Sequence, residues 1–181
     1  MPSLHADVSV DPPACRRPTA CPTEKTYITR IWAEHECQLV ELLCGLDPSS
    51  RVNRFGHSTS DACVQAYAKD AAAGAAFMAG ALNAGRLIGV VEVFAARNGV
   101  AEAAFAIDAD WRRRGLGLAL LEAATRWAEQ AGIATLRMVI SRNNWPMRQL
   151  AHKAGAQLDF DLDEISADID IATTASLGIA A

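Results

Sequence analysis

Residues 100–140 constrain the fold most strongly, because their hydrophobic pattern changes period twice. Residues 100–107 are typical of a strand, apolar residues then recur at helical spacing on one face of 116–131, and strand character returns over 133–140. Gly132 marks the end of the helix. A strand, a helix and a second strand in this order predict a parallel, right-handed crossover within one sheet.

Upstream of this segment, local patterns predict one strand and two helices. β-Branched and aromatic residues over 26–32 are typical of a strand. Leucines at helical spacing predict a helix over 34–46 that ends at Asp47-Pro48-Ser49. A second helix is predicted from Ser60 to about residue 73, with a polar residue at 59–61 as its N-cap.

The residues that follow predict an antiparallel meander of three strands over 76–82, 86–94 and 100–107. The connections Asn83-Ala84-Gly85 and Arg97-Asn98-Gly99 have the composition of tight hairpin turns. The third strand of the meander is also the first strand of the crossover, so both units belong to one sheet.

After the crossover, the pattern predicts one more helix and a hairpin. Asn143 or Asn144 can cap a helix with Pro146 in its first turn, and Gly155 follows its end. Apolar and polar residues then alternate strictly over 158–162 and 165–171. This alternation is typical of a hairpin with one face in solvent, where its acidic residues could attract a lysine-rich surface.

Length and charge indicate one domain that does not bind nucleic acid. The 181 residues suffice for a single core. Residues 1–23 hold five of the seven prolines and no apolar period, so they are expected to be a disordered leader before a domain over 24–181. With 17 Lys and Arg against 21 Asp and Glu, no broad basic surface for phosphate backbones is expected.

The cysteines and the apolar runs bear on the compartment. The five cysteines include no Cys-x-x-Cys pair, which favours a reducing compartment and argues against a disulfide framework or a zinc site. Cys37 and Cys44 lie in an apolar helical pattern and are expected in the core. Neither a signal peptide nor a membrane span is recognised, so a cytoplasmic location without membrane contact is expected.

The most informative motif is Trp111-Arg-Arg-Arg-Gly-Leu-Gly-Leu118, which lies where the third strand of the meander passes into the long helix. Its two glycines allow a tight turn and a close approach of the backbone to a ligand. The free N–H groups and the dipole at the start of a helix favour a phosphate or pyrophosphate. The alternative interpretation is a turn made easier by glycine, with three solvated arginines.

This motif resembles the acyl-CoA signature of the GNAT superfamily of N-acyltransferases, which Arg112, Gly115 and Gly117 match. Residues 144–155 resemble a second family element, an Asn-containing helix that ends in Gly. The Asn-x-Pro-Met spelling and residues 46–55 look most like the bacterial protein lysine acetyltransferase branch. The resemblance implies a single α/β (α+β) domain with a mixed, mostly antiparallel sheet, a parallel βαβ crossover at the cofactor site and helices on both faces.

The resemblance also implies acetyl-CoA as co-substrate, with no metal. Backbone amides of residues 113–118 would hold the pyrophosphate, the end of the preceding strand would offer backbone groups to the pantetheine arm, and Asn144 would hydrogen-bond that arm from the other side. Fixed donors near the thioester carbonyl would stabilise the transition state. The implied cofactor-binding residues are Phe105, Ala106, Ile107, Arg112, Arg113, Arg114, Gly115, Leu116, Gly117, Leu118 and Asn144.

Acyl transfer to an amine also needs a base, because neutralising a lysine at pH 7 costs roughly 4.6 kcal/mol. The candidate is Glu102, ten residues before Arg112, where the resembled branch has its base glutamate. Ala101, Ala103, Ala104 and Phe105 are expected to give it apolar surroundings, which would raise the pKa of its carboxyl group. The alternatives are an outward-facing acid at Glu102 and a base at Glu92 on the preceding strand.

The general acid expected from the resemblance is missing or lies elsewhere. Many members have a Tyr seven residues after the Asn, where it can protonate the departing thiolate, and this chain has Ala151 there. His152 is adjacent, but neighbouring helix residues point about 100° apart, so it is expected to be a surface residue.

Together, these patterns predict direct acetyl transfer from acetyl-CoA to a primary amine, with a protein lysine as the leading acceptor. One alternative is the same chemistry on a small-molecule amine. Another is an acyl-CoA-sensing module without turnover, an idea that Ala151 motivates. The protein is expected to be a monomer or a homodimer.

Overall fold

The computed structural model describes residues 25–94 and 98–172. The predicted leader, the start of the domain at Glu24 and Arg97 of the second predicted turn lie outside the described residues. The elements, in chain order, are β1 (Tyr27–Arg30), α1 (Glu36–Cys44), α2 (Pro48–Phe55), α3 (Asp61–Gly74), β2 (Phe77–Asn83), β3 (Arg86–Phe94), β4 (Val100–Ile107), α4 (Leu116–Gln130), β5 (Thr135–Ser141), α5 (Trp145–Lys153), β6 (Gln157–Phe160) and β7 (Glu164–Asp170).

The seven strands form one sheet in the order β1-β2-β3-β4-β5-β7-β6. Strands β4 and β5 run parallel, whereas every other neighbouring pair in this sheet is antiparallel. Helix α4 connects the parallel pair, so the predicted crossover and the mixed, mostly antiparallel α/β fold class are confirmed.

Turn chemistry explains the meander. In the β2–β3 turn, Ala84 and Gly85 have φ values of 50° and 75°, and before β4 Asn98 and Gly99 have values of 60° and 79°. Two successive residues of positive φ give the twist that joins antiparallel strands, and Gly and Asn adopt this conformation most readily. The first turn forms as its sequence predicts.

Helices cover both faces of the sheet. On one face, apolar residues of α4 such as Leu120 and Ala124 pack against β2–β5 and β7. On the other face, α1 and α3 bury Leu43, Val64 and Ala68 against β2, β3 and the end of β4. On this second face the β5 side chains are less enclosed, and Val139 is 42% exposed. The second face therefore has a covered half and an open half.

Helix α2 was not predicted. Asp47, Pro48 and Ser49 were expected to end a helix, but they begin a new one, because the Asp47 side chain accepts the backbone N–H of Ser50 at 3.0 Å and Pro48 occupies the first turn. None of the residues of α2 is fully buried. Within its eight residues, Val52 and Phe55 are the apolar side chains at helical spacing, which is too short a stripe to be recognised as a helix from the sequence.

The prediction that Cys37 lies in the core is wrong. Cys37 is exposed, whereas Cys44 is partly buried against the core beneath α1 and α3. The buried face of α1 contains Leu39, Leu42 and Leu43. At 100° per residue, Cys37 points about 200° away from Leu39.

Candidate active site

The segment between β4 and α4 is shaped by backbone conformation. Arg113 has a φ of 60°, and Gly115, the N-cap of α4, has a φ of 82°. The first hydrogen bond of the helix runs from Ala119 N–H to Gly115 O at 3.1 Å, and the N-cap has no side-chain hydrogen bond. The N–H groups of Leu116, Gly117 and Leu118 precede that bond and are donors at the positive end of the helix dipole. This arrangement suits a phosphate-bearing ligand.

The two glycines of the motif have different structural roles. A Cβ added at Gly115 would meet nothing within 4 Å, but its φ disfavours any L side chain. A Cβ at Gly117 would lie 3.5 Å from Leu150 Cδ2 and 3.6 Å from Ile107 Cδ1, which is ordinary contact. Gly117 therefore lies between the end of β4 and α5, and the strict requirement for glycine is at Gly115.

Gly115→Ala is expected to raise the acetyl-CoA Kd about tenfold. The left-handed conformation costs an alanine about 1–2 kcal/mol, and the loop can relieve that strain by abandoning its ligand-binding shape. Gly132→Ala is the matched control, because Gly132 follows the far end of α4 with a φ of 70° and equally open space. Both variants should lose similar thermal stability, and calorimetry should show weaker binding only for Gly115→Ala. Equal affinity for acetyl-CoA in the two variants would contradict the interpretation of residues 113–118 as a pyrophosphate-binding loop.

The Arg112 side chain is engaged by protein groups. Its Nε donates to the carbonyl of Ile107 at 3.2 Å, and its terminal nitrogen lies 2.8 Å from Oδ2 of Asp47. Arg113 and Arg114 are exposed, and the Arg114 guanidinium lies 4.7 Å from the centre of the Trp111 ring. Arg112 therefore connects the loop to β4 and to α2, while its two neighbours face solvent.

Strands β4 and β5 separate next to this loop. Only the first three residues of β4 pair with β5, ending at Glu102 opposite Arg137, among the residues that the structure describes. Beyond that point β4 pairs with β3 alone, and β5 pairs with β7. The β5-facing backbone groups of residues 103–107, which include Phe105, Ala106 and Ile107, are therefore directed into the gap.

Asn144 lies at the same edge of the sheet, because parallel strands end on the same side. It follows β5 and caps α5, where its Oδ1 accepts the N–H of Met147 at 3.3 Å. The side-chain NH2 of Asn144 is the group that this cap leaves as a donor. The structure thus brings the two sequence motifs to the two sides of one gap.

Glu102 lies where the gap begins. It is exposed, and it belongs to the α1–α3 face of the sheet, opposite Phe94 on β3 and Arg137 on β5. Ala101, Ala103 and Phe105 belong to the core beneath α4, so of the four residues expected to give Glu102 apolar surroundings only Ala104 shares its face. A strand alternates its side chains, and sequence neighbours therefore do not share a surface.

Carboxylates outnumber cations around Glu102. Nε and a terminal nitrogen of Arg137 donate to the two oxygens of Asp168 at 2.7 and 2.6 Å. These hydrogen bonds, then the charge of Asp168, and with smaller effect Asp159 and Glu102, raise the pKa of Arg137. Asp168 therefore contacts the Arg137 guanidinium directly, and the carboxylates of Asp159 and Glu102 act on it through their charge. Sequence analysis did not single out Arg137, because its neighbours come from three other strands.

Glu92, the alternative base, is enclosed. It is fully buried on β3, and its Oε2 contacts the Arg54 guanidinium of α2 and lies 3.4 Å from the Tyr67 hydroxyl of α3. Burial, and then the charge of Glu92, raises the pKa of Tyr67 to about 12, so the phenol stays protonated. A carboxylate paired with arginine beneath two helices is not positioned to meet an incoming amine, and the geometry favours Glu102.

Position 151, where many members of the resembled family have a tyrosine as general acid, holds an alanine in this chain. Ala151 is fully buried in the core beneath α4 and α5, whereas His152 is exposed, as predicted. A side chain at 151 would thus face the core. His152 lies on a different side of α5, because adjacent helix positions are 100° apart.

Strands β4 and β5 separate beside a helix capped by glycine, and Asn144 lies on the far side of the gap. This geometry is that of an α/β protein whose sheet could accommodate a phosphate-bearing ligand. The sequence model of the acetyltransferase (GNAT) family matches residues 38–156, more than half of the chain. The chain belongs to this family of acyl-transferring enzymes. No curated protein matches the chain in sequence.

Solved structures share the fold at low identity. The GNAT domain of S. lividans PAT has a TM-score of 0.68 at 20% identity, over 79% of this chain and 89% of that one. PaiA N-acetyltransferase from Thermoplasma acidophilum, solved with coenzyme A, has a TM-score of 0.63 at 16% identity, over 81% and 99%. Salmonella typhimurium yncA, solved with acetyl-CoA, scores 0.63 at 12% identity, over 81% and 94%.

None of the described helices combines the length and the apolar character that crossing a membrane requires.

Proposed function

We propose that this protein transfers the acetyl group of acetyl-CoA to a protein lysine, with Glu102 as general base. The observation that carries the proposal is the place of Glu102: it is an exposed carboxylate on β4, at the residue where β4 and β5 separate. An amine that enters from the open half of the sheet face would meet this carboxylate next to the gap.

The loop and the gap support acetyl-CoA as co-substrate. Backbone N–H groups of residues 113–118 would hold the pyrophosphate, and the β5-facing backbone of Phe105, Ala106 and Ile107 together with Asn144 would hold the pantetheine arm. Two similar folds were solved with coenzyme A or acetyl-CoA, which fits this use of the gap. The thioester supplies the activated acyl carbonyl.

The chain's part in the reaction is to orient the amine and remove its proton. Glu102 accepts a proton from the ammonium group, and the neutral amine attacks the thioester carbonyl directly. Backbone donors at the end of β4 would stabilise the negative charge that develops on the carbonyl oxygen. As the C–S bond breaks, the nitrogen releases its second proton to solvent, and solvent protonates the departing thiolate, because position 151 holds an alanine that has no proton to donate.

Charge supports a cationic acceptor. Glu102, Asp159 and Asp168 face one cation, Arg137, on the open half of the sheet face. Such a surface attracts a lysine side chain and the basic residues around it. The resemblance of residues 46–55 and of the Asn-x-Pro-Met spelling to the bacterial protein lysine acetyltransferase branch fits an acceptor that is itself a protein.

The proposal is tested by incubating the purified protein with acetyl-CoA and three acceptor sets: acyl-CoA synthetases as whole proteins, lysine peptides, and small amines. Acetylation of protein lysines, located by peptide mass spectrometry, is the expected result. Acetylation of small amines alone would overturn the protein-lysine assignment. Acetyl-CoA binding without transfer to any acceptor would instead favour the sensing module.

A further inference from the structure

Helix α2 is held in place by charged side chains. None of its residues is fully buried, yet both of its ends make ion pairs. At its C-terminal end, Arg54 contacts Glu92 and Tyr67. In its middle, Arg51 donates to Cys44 O at 2.5 Å and to Asp61 at 2.5 Å. Polar contacts, together with the packing of Phe55 against the core, therefore determine the position of α2.

The N-terminal end of α2 is joined to the cofactor loop. Asp47, the N-cap of α2, lies 2.8 Å from a terminal nitrogen of Arg112, and Nε of Arg112 donates to the carbonyl of Ile107. Hydrogen bonds from the Ser49 hydroxyl and the Ser50 backbone, helped by the Ser50 hydroxyl and Arg112, hold the pKa of Asp47 well below its usual range. The Asp47 carboxylate is therefore charged at neutral pH.

The other end of α2 reaches the surroundings of Glu102. The Phe55 ring lies 5.2 Å from the Tyr67 ring, and Tyr67 lies 6.5 Å from Phe94, centre to centre. Phe94 is the β3 residue opposite Glu102. A continuous series of contacts thus runs from Arg112 through Asp47 and α2 to the residue that lies beside the proposed base.

We propose that Asp47 and Arg112 form a positioning pair that transmits acetyl-CoA binding to α2 and so orders the acceptor side of the site. This inference rests on the proposed function, because it takes residues 112–118 as the cofactor loop and the Glu102 face as the acceptor side. A ligand that fixes the loop also fixes Arg112, and Arg112 then holds the N-cap of α2. By linkage, an ordered α2 tightens acetyl-CoA binding to the same degree.

The test measures hydrogen exchange of the α2 amides with and without acetyl-CoA. The N–H of Arg51 donates to Asp47 O at 2.9 Å and that of Gly56 to Val52 O at 2.8 Å, so amides 51–56 report on this helix. In the wild type, saturating acetyl-CoA is expected to slow their exchange at least about fivefold, the lower range of typical site-to-site coupling.

Asp47→Asn is expected to reduce this slowing to less than about twofold, because asparagine can still cap the helix but lacks the charge that holds Arg112. Asp47→Ser, a second capping variant, should behave in the same way and replaces Asp47→Asn if that variant folds poorly.

Asp61→Asn is the matched control. It removes the ion pair between Arg51 and α3, an ion pair that does not reach the loop, and it should retain the full slowing of exchange. Arg112→Gln, alone or with Asp47→Asn, should give the same loss, since residues that act as a pair do not add.

The outcomes separate this inference from the proposed function. The positioning pair is overturned if acetyl-CoA does not slow exchange of the α2 amides in the wild type, or if it makes that exchange faster. It is also overturned if the slowing persists in Asp47→Asn. The readout needs no acceptor, so a failure to acetylate lysine would overturn the proposed function and leave this result intact. Calorimetry that shows no binding of acetyl-CoA to the wild type would overturn both.

Discussion

Glu102→Gln is expected to lower kcat by about 10² to 10⁴, with acetyl-CoA affinity nearly unchanged. Glutamine keeps the shape and reach of the side chain, but it cannot accept the proton of the attacking ammonium group. Steady-state kinetics with an acetylated acceptor, together with calorimetry on acetyl-CoA, separate the two effects. Glu129→Gln is the control, because Glu129 is an exposed carboxylate near the end of α4, away from the gap, and should keep wild-type turnover.

The pH dependence gives an independent check on the same residue. A lysine amine, with a reference pKa near 10.4, loses its proton unaided at high pH. The Glu102→Gln variant should therefore recover part of its rate as the pH rises, and the ratio of wild-type to variant rates should shrink. Wild-type turnover by the variant at pH 7 would remove Glu102 from the mechanism.

The largest expected effect on stability comes from Arg54→Met, which should lower the free energy of unfolding by about 3–5 kcal/mol. The substitution leaves the carboxylate of Glu92 buried without its cationic partner, and the Oε1 atom of Glu92 already has no protein hydrogen bond. Urea unfolding followed by circular dichroism measures the loss. The effect should be far larger than for Arg137→Met, which breaks an ion pair with both side chains partly exposed.

A double variant tests whether the unpaired charge is the cause. Arg54→Met combined with Glu92→Met replaces both buried charges by apolar groups and should regain most of the lost stability. If the double variant is as unstable as Arg54→Met, the cation–π packing of Arg54 on Tyr67 and Phe55 is the more important contribution. That result would contradict the electrostatic explanation.

The local sequence pattern predicted an element correctly wherever the residues that stabilise that element lie within the same segment. The β2–β3 hairpin follows from positive-φ residues at its turn, and α3 follows from Ser60, whose side chain accepts the N–H of Cys63. The tight turn before α4 follows from two glycines that precede an apolar stripe of helical period. Each of these elements depends on residues within about one turn or one hairpin of one another, so pattern and structure agree.

The position of α2 could not be read from local pattern. Its apolar stripe is short, with Val52 and Phe55 at helical spacing. Its partners Arg112 and Glu92 lie 65 residues after Asp47 and 38 residues after Arg54. The Asp47-Pro48 pair is typical of a helix start as well as a helix end, and the choice depends on whether a following segment finds distant partners. Here it does, through charged side chains.

By itself, the sequence determined the fold class, the parallel crossover and the glycine-containing turn before α4, because periodicity and turn residues act over short distances. Only the tertiary structure decided which of two glutamates is available. Glu92 and Glu102 lie on adjacent strands and on one face, yet α2 and α3 cover Glu92, and the separation of β4 from β5 leaves Glu102 exposed. Burial of a side chain depends on what packs over it, and those residues are remote in sequence.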